Sequence, residues 1–253
     1  QRNKERKPAD INLLFIEEPE AHTHPQMQYV FIKNIKELLK QGILHKDGIS
    51  RKLQYIVSSH SAHIVADCDF NDIKYMVHSQ KNGIFEKNSV IAKNMKDLQK
   101  EYEGDAEYKQ YFAFLKQYLT LNRSELFFAD KAIFIEGDTE RILLPAMMKM
   151  IDEEHEPEEN ETYLLSQNVS IIEVGAYSHI FEKFMRFIGL RKCLIITDLD
   201  CCKPVEKTDK NGRKTTKYEK APYDVTDDNM VTSNASIKSF LKISSIKTTQ
   251  FFY

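Results

Sequence analysis

The stretch Phe134-Ile-Glu-Gly-Asp-Thr-Glu-Arg141 decides how this chain is read. An apolar run of strand character ends on Glu136-Gly137, and the segment after it has helical periodicity. The strand end delivers one carboxylate, Glu136, and the helix start delivers a second, Glu140. Side chains four apart share a helical face, and Gly137 is expected to let the chain turn sharply between the two acids. Further on, Ile195-Ile-Thr-Asp198-Leu-Asp200 places two more acids after another apolar run. Side chains alternate along a strand, so Asp198 and Asp200 are expected to face the same way. Four carboxylates from two strand ends form a hard, oxygen-only donor set that suits Mg2+ or Mn2+ rather than zinc. Glu136 and Asp198 are the expected central ligands, with Glu140 and Asp200 completing a second site or its outer shell. Crowding of like charges should raise the pKa values of such a cluster when no metal is bound.

The surrounding segments alternate. Strand character over 131–136, helix over 138–151, an acidic loop, strand over 169–174, helix over 177–188 and strand over 192–198 give a β-α-β-α-β order. That order implies a parallel α/β sheet whose functional residues gather beyond the carboxyl ends of its strands. The acidic loop over 152–161 reads as a solvated connection. The segment 203–220 instead carries seven basic residues, at 203, 207, 210, 213, 214, 217 and 220, against acids at 206, 209 and 219. It reads either as a solvated loop or, since it leaves the Asp198/Asp200 site, as one that offers Lys203, Lys207, Lys210, Arg213, Lys214 and Lys217 to a phosphate backbone.

Toward the N-terminus, residues 11–16 form an apolar run of the kind that becomes a buried parallel strand, and Glu17-Glu18 follow at once. Residues 25–40 read as a helix with Met27, Phe31, Ile35, Leu38 and Leu39 on one face, stopped by Gly42. Residues 53–57 form a second buried strand that ends in Ser58-Ser-His60-Ser. Residues 73–77 and 90–92 read as edge strands or hairpins. The span 95–127 is mostly helical, and its stripe of Tyr108, Tyr111, Phe112, Leu115, Tyr118 and Leu119 reads as core packing rather than a base-stacking platform. Two acids straight after a buried strand have a role in a nucleotide hydrolase. Glu17 would hold Mg2+ through water, Glu18 would orient the attacking water, and His60 would donate a hydrogen bond to the γ-phosphate.

At 253 residues the chain has room for two domains. The expected division is 1–95, a helical connector over 96–129, and 130–253. A net charge of -2 removes any argument from an overall basic field. There is no apolar run of about 18 residues to span a membrane, and no signal-type apolar core follows the charged N-terminus. Cys68, Cys193, Cys201 and Cys202 fit neither a disulfide ladder nor zinc knuckles, so a soluble, cytoplasmic protein is expected. The sequence does not start with Met and begins just before a strand, which suggests a fragment of something longer.

The motif Phe15-Ile-Glu-Glu-Pro-Glu-Ala-His-Thr-His-Pro25 resembles the Walker B and D-loop segment of ABC-type ATPases, in the form seen in the OLD (overcoming lysogenization defect) family. Ser58-Ser-His60-Ser resembles the switch histidine of that family. Two departures stand out: Glu17 replaces the more usual Asp, and Thr23 and Ala62 replace Leu and Pro. The segment with Glu136, Glu140, Asp198 and Asp200 resembles a TOPRIM nuclease domain of the OLD type, as does Thr232-Ser-Asn-Ala-Ser-Ile237. Among relatives, Gabija-type antiphage nucleases share this order.

The resemblance implies the C-terminal part of an ABC-type ATPase domain followed by a TOPRIM α/β domain, with the Gly-rich phosphate loop upstream of Gln1. It implies an ATP-regulated endonuclease that cuts double-stranded DNA with two Mg2+ or Mn2+ ions, and ATP with Mg2+ in the full-length protein. It also implies a homo-oligomer, either a dimer or a dimer of dimers, and a helicase-like partner protein. Such nucleases use a late lysine, for which Lys238, Lys242 and Lys247 are candidates. The competing reading is an ATP-dependent DNA-binding sensor or scaffold with an inactive TOPRIM domain. A topoisomerase or primase is weaker, because no Tyr stands in a recognisable nucleophile context.

Overall fold

The computed structural model describes residues 11–21, 23–41, 43–44, 50–51, 53–81, 84–121, 123–159, 161–190, 192–208, 213–224, 226–242 and 245–246. The chain is α/β and divides into two compact units, which meet in sequence between Phe128 and Ala129.

In the first unit, β1 (Asn12–Glu17) pairs in parallel with β4 (Leu53–Ser58), in a register that sets Glu17 beside Ser58. Parallel neighbours need a long crossover. It is supplied by α1 (Pro25–Gln41) and a short antiparallel pair, β2 (Ile43–Leu44) with β3 (Ser50–Arg51). Pro25 suits the first helical position, where its missing N–H costs nothing. Among the described side chains of α1 the buried ones are Gln28 and Ile32, and Met27, expected on the inner face, is 55% exposed. Gln28 faces inward with both ends of its amide satisfied: its Nε2 donates to Thr23 O (3.2 Å) and its Oε1 accepts from Ser61 Oγ (2.5 Å). The side chains of Leu38 and Leu39, and residue Gly42, lie outside the described residues.

The expectation that β1 and β4 are buried does not hold among the described residues. Leu13, Phe15 and Ile56 are all exposed, because a two-stranded parallel ladder cannot cover its own faces.

Ser61 caps α2 (Ala62–Asp67) by accepting from Ile64 N (3.3 Å). An antiparallel hairpin, β5 (Lys74–Lys81) and β6 (Ile84–Asn94), then leads into α3 (Met95–Glu103) and α4 (Phe112–Leu121). Asn94 caps α3 through Lys96 N (3.1 Å). Phe70, Met95, Leu98, Tyr102, Leu115, Leu119 and Leu126 are fully buried. Phe112 sets its ring 5.9 Å from Phe70 and 5.7 Å from Tyr102.

In the second unit the sheet order is β8-β7-β9, all parallel, with β7 (Lys131–Ile135) in the middle. α5 (Asp138–Glu154) follows β7, and β8 (Val169–Glu173) leads through a 3-10 segment, Gly175–Phe181, into α6 (Glu182–Ile188). α6 stops at Gly189, whose φ of 77° lies in the left-handed region that glycine adopts freely. Phe134, Ile172, Phe181 and Phe184 are fully buried, with the Phe134 and Phe181 rings 5.5 Å apart.

Two expectations are corrected here. β9 (Lys192–Ile195) ends before Thr197, so strand alternation does not place Asp198 and Asp200. The basic segment is not a loop but an antiparallel hairpin, β10 (Cys201–Thr208) with β11 (Lys214–Lys220). The short β12 (Val231–Thr232) lies on the other edge of β10, and α7 (Ala235–Leu241) follows. Every residue of β11 is exposed, so no apolar period announces the strand. Lys210 and Lys247 lie outside the described residues. All four cysteines are free thiols, and among the described residues no helix is long and apolar enough to cross a membrane.

Candidate functional site

Glu136 stands one residue past β7, and Glu140 lies in the first turn of α5. Glu140 folds back so that its Oε2 accepts from Gly137 N (3.0 Å), the returning half of a capping box. Gly137 itself has φ −159°, which is extended backbone, and a Cβ there would meet only Glu140 Oε2 at 3.9 Å. The sharp turn expected at this glycine is therefore not what sets the two acids. The capping bond and the start of the helix set them.

Beyond β9 the chain is held by one more strand-like contact and then turned. Ile196 N still donates to Phe134 O (2.8 Å). Asp200 adopts φ 46°, the left-handed conformation that Asp tolerates better than most residues, and this bend feeds the hairpin. Asp200 O accepts from Ser233 N (2.9 Å) and Ser233 Oγ (3.1 Å), and Leu199 O accepts from Thr232 Oγ1 (2.6 Å). The segment before α7 thus pins the loop that carries Asp198 and Asp200.

The four acids share one electrostatic neighbourhood. Partial desolvation, followed by the charges of Glu136, Glu140 and Asp200, pushes the Asp198 carboxyl above the usual carboxylate range, and Lys220 pulls against this. As the side chains stand, no three His, Cys, Asp or Glu among the described residues close on a point that would hold an ion. Each acid but Asp198 is turned onto a donor of the protein. Glu140 is tied to Gly137, Glu136 Oε1 accepts from Thr197 Oγ1 and from Asn234 Nδ2 (2.7 Å), and Asp200 Oδ1 lies 3.4 Å from Lys220 Nζ. The donor set, four carboxylates with one held neutral more readily than usual, has the chemistry of a divalent-cation site.

Two residues that sequence reasoning left out of the site stand in it. Asn234 sits in the quoted Thr-Ser-Asn-Ala-Ser-Ile segment. A polar residue just before an apolar helix signals an N-cap, but nothing in the sequence says that its other atoms reach Glu136. Lys220 was counted among the basic residues without a role. Lys238 is exposed in the last turn of α7 and Lys242, φ 54°, follows the helix.

Three of the hairpin lysines are already partnered. Lys203 pairs with Asp227 (3.1 Å), Lys207 with Glu219 (2.5 Å) and Lys214 with Glu206 (3.1 Å). Arg213 and Lys217 are exposed.

At the carboxyl end of the β1–β4 ladder, Glu18 N donates to Ser58 O (3.0 Å) and Glu18 takes φ 39°. His60 Nε2 lies 3.2 Å from Glu18 Oε1, and both side chains are open to solvent. The strand register brings Glu17, Glu18 and His60 to one edge. Glu20, not singled out from the sequence, organises that edge, its Oε1 accepting from Ser59 Oγ (2.9 Å) and His60 N (2.5 Å).

A parallel ladder with paired acids facing a histidine, followed by a parallel sheet with carboxylates past its strand ends, defines a class. Residues 1–65 match the model of an AAA ATPase domain, and residues 127–200 match that of the overcoming lysogenization defect protein-like TOPRIM domain. The chain carries part of an ATPase domain followed by an OLD-like TOPRIM domain. It is similar to Endonuclease GajA of Bacillus cereus (strain HuB5-5), with 34% identity over 200 residues, covering 76% of this chain and 26% of that protein. The chain thus spans about a quarter of the length of the curated relative it matches. No solved structure matches the chain.

Proposed function

We propose that this chain contributes the cutting centre of an ATP-regulated, divalent-metal-dependent DNA endonuclease of the Gabija type, acting in bacterial antiphage defence. One observation carries the reading: Glu136, Glu140, Asp198 and Asp200 gather past the carboxyl ends of β7 and β9, close enough for the first two and Asp200 to raise the Asp198 pKa. Similarity to a protein named as an endonuclease supports it.

In this reading Glu136 and Asp198 hold Mg2+ or Mn2+ centrally, and Glu140 and Asp200 leave their present partners to complete the shell. Bound metal supplies activation of the attacking water and stabilisation of the leaving oxygen. Lys220 releases Asp200 and faces the incoming phosphate. The β10–β11 hairpin, with Lys203, Lys207, Arg213, Lys214 and Lys217, carries the DNA backbone. Its ion pairs are surface pairs worth little, so phosphates displace them at small cost. In the ATPase segment, Glu17 and Glu18 serve Mg2+ and the attacking water, and His60 meets the γ-phosphate. A homo-oligomeric assembly and a helicase-like partner belong to the same reading.

A second reading has a specific observation behind it. Three of the four acids are tied to donors of the protein, as they would be in a DNA-binding sensor that no longer cuts. Incubating supercoiled plasmid with the intact protein and Mg2+ or Mn2+ separates the two. Nicked and linear products that disappear with EDTA are expected, and intact plasmid under shift conditions that show binding would favour the sensor.

A further inference from the structure

We propose that Asn234 is a positioning residue for Glu136, fixing one carboxylate oxygen to the protein so that the other is presented to metal. The proposal rests on the metal-site reading above. Asn234 is 1% exposed, and its side chain has two separate sets of partners. Its Oδ1 caps α7 by accepting from Ser236 N (3.0 Å) and Ile237 N (3.1 Å). Its Nδ2 donates to Glu136 Oε1 (2.7 Å) and to Thr197 Oγ1 (2.8 Å), and Thr197 Oγ1 in turn donates to the same Glu136 oxygen.

Capping alone does not ask for this residue. Ser and Thr cap nearly as well as Asn, because a cap needs only an acceptor. What they cannot supply is an amide N–H, and here the amide nitrogen is aimed at Glu136 Oε1 and Thr197 Oγ1 together. Two donors on Oε1 hold the carboxylate plane and leave Oε2 outside their grip. Neighbouring bonds extend the frame. Asn234 N donates to Thr232 Oγ1 (3.0 Å), Thr232 Oγ1 donates to Leu199 O (2.6 Å), and Ser233 N donates to Asp200 O (2.9 Å). One segment, in which Thr232 and Asn234 are buried, therefore ties the Glu136 side chain to the backbone of the Asp198–Asp200 loop. This fixes their mutual position before any ligand arrives, as preorganised sites require.

The test is a Mn2+ titration of the intact protein, read by calorimetry and independent of cleavage, for Asn234→Ser, Asn234→Thr and Glu136→Gln. Both Asn234 variants keep a capping acceptor, so a cooperative melt is expected for at least one of them. The folded variant should bind Mn2+ about tenfold or more weakly, the usual effect of removing a hydrogen bond behind a ligand. Its half-saturating Mn2+ for plasmid nicking should rise by the same factor, with the rate recovered at high metal, which a merely structural defect would not allow. Wild-type Mn2+ affinity in a folded Asn234 variant, alongside lost binding in Glu136→Gln, overturns the role of Asn234 alone. Wild-type affinity in Glu136→Gln as well overturns the metal reading and this proposal with it.

Discussion

At the residue scale, the acids of the second unit are readable one by one, but their behaviour is collective. Asp198 carries the strain of the group: its carboxyl is raised by desolvation and by Glu136, Glu140 and Asp200. A carboxyl raised in the fold above its unfolded value holds its proton more tightly in the folded state. Between the two values the folded state binds more protons, so metal-free stability falls as pH rises through that window. Asp198→Asn removes the penalty. The metal-free variant is expected to melt at a higher temperature than wild type at neutral pH, with the difference closing as the pH falls below the ordinary carboxylate range. A lower melting temperature for Asp198→Asn at neutral pH would show that the acids are not in tension.

The quoted acids, Glu136, Glu140, Asp198 and Asp200, were legible because each follows an apolar run at a strand end or starts a helix. Asn234 was not, since a capping residue announces only its local job. The hydrogen bond to Glu136 spans 98 positions, and no local pattern encodes a contact of that range.

At the scale of elements, β7 is the strand on which the site depends. Its Phe134 is fully buried against Phe181, directly before Ile135 and Glu136. Phe134→Ala should cost about 3–5 kcal/mol in a denaturant melt of the second unit, and the site should be lost with the strand. The β10–β11 hairpin shows where periodicity misleads. Its strands read as a charged loop because β11 buries nothing and β10 buries only Cys202, and the pairing is held by backbone ladder bonds together with the cross-strand ion pairs Lys207–Glu219 and Lys214–Glu206. Lys214→Glu with Lys217→Glu should weaken DNA binding across sequences and flatten the salt dependence by about one unit of slope per lysine. An unchanged slope would take the hairpin out of the interface. β1 teaches the opposite lesson. Its apolar run fixes a parallel partner, but burial needs cover on both faces, and the strand's own residues cannot supply that.

At the scale of the molecule, the two compact units carry separate chemistries: paired acids facing a histidine in one, a carboxylate cluster in the other. The β-α-β order made the second unit's parallel sheet legible, and the placement of acids past the strand ends followed from it. Hydrogen exchange offers a check at this scale. Without ATP, Mn2+ should slow exchange at residues 135–138, 196–201 and 232–237 and leave 11–128 unchanged. Protection confined to the first unit would place the metal elsewhere.

The most direct measurement compares wild type with Glu136→Ala on plasmid DNA in Mg2+ or Mn2+, scoring cleavage and binding in parallel. The account predicts that the variant binds DNA as wild type does and produces no nicked or linear product. Continued cleavage by Glu136→Ala would contradict it.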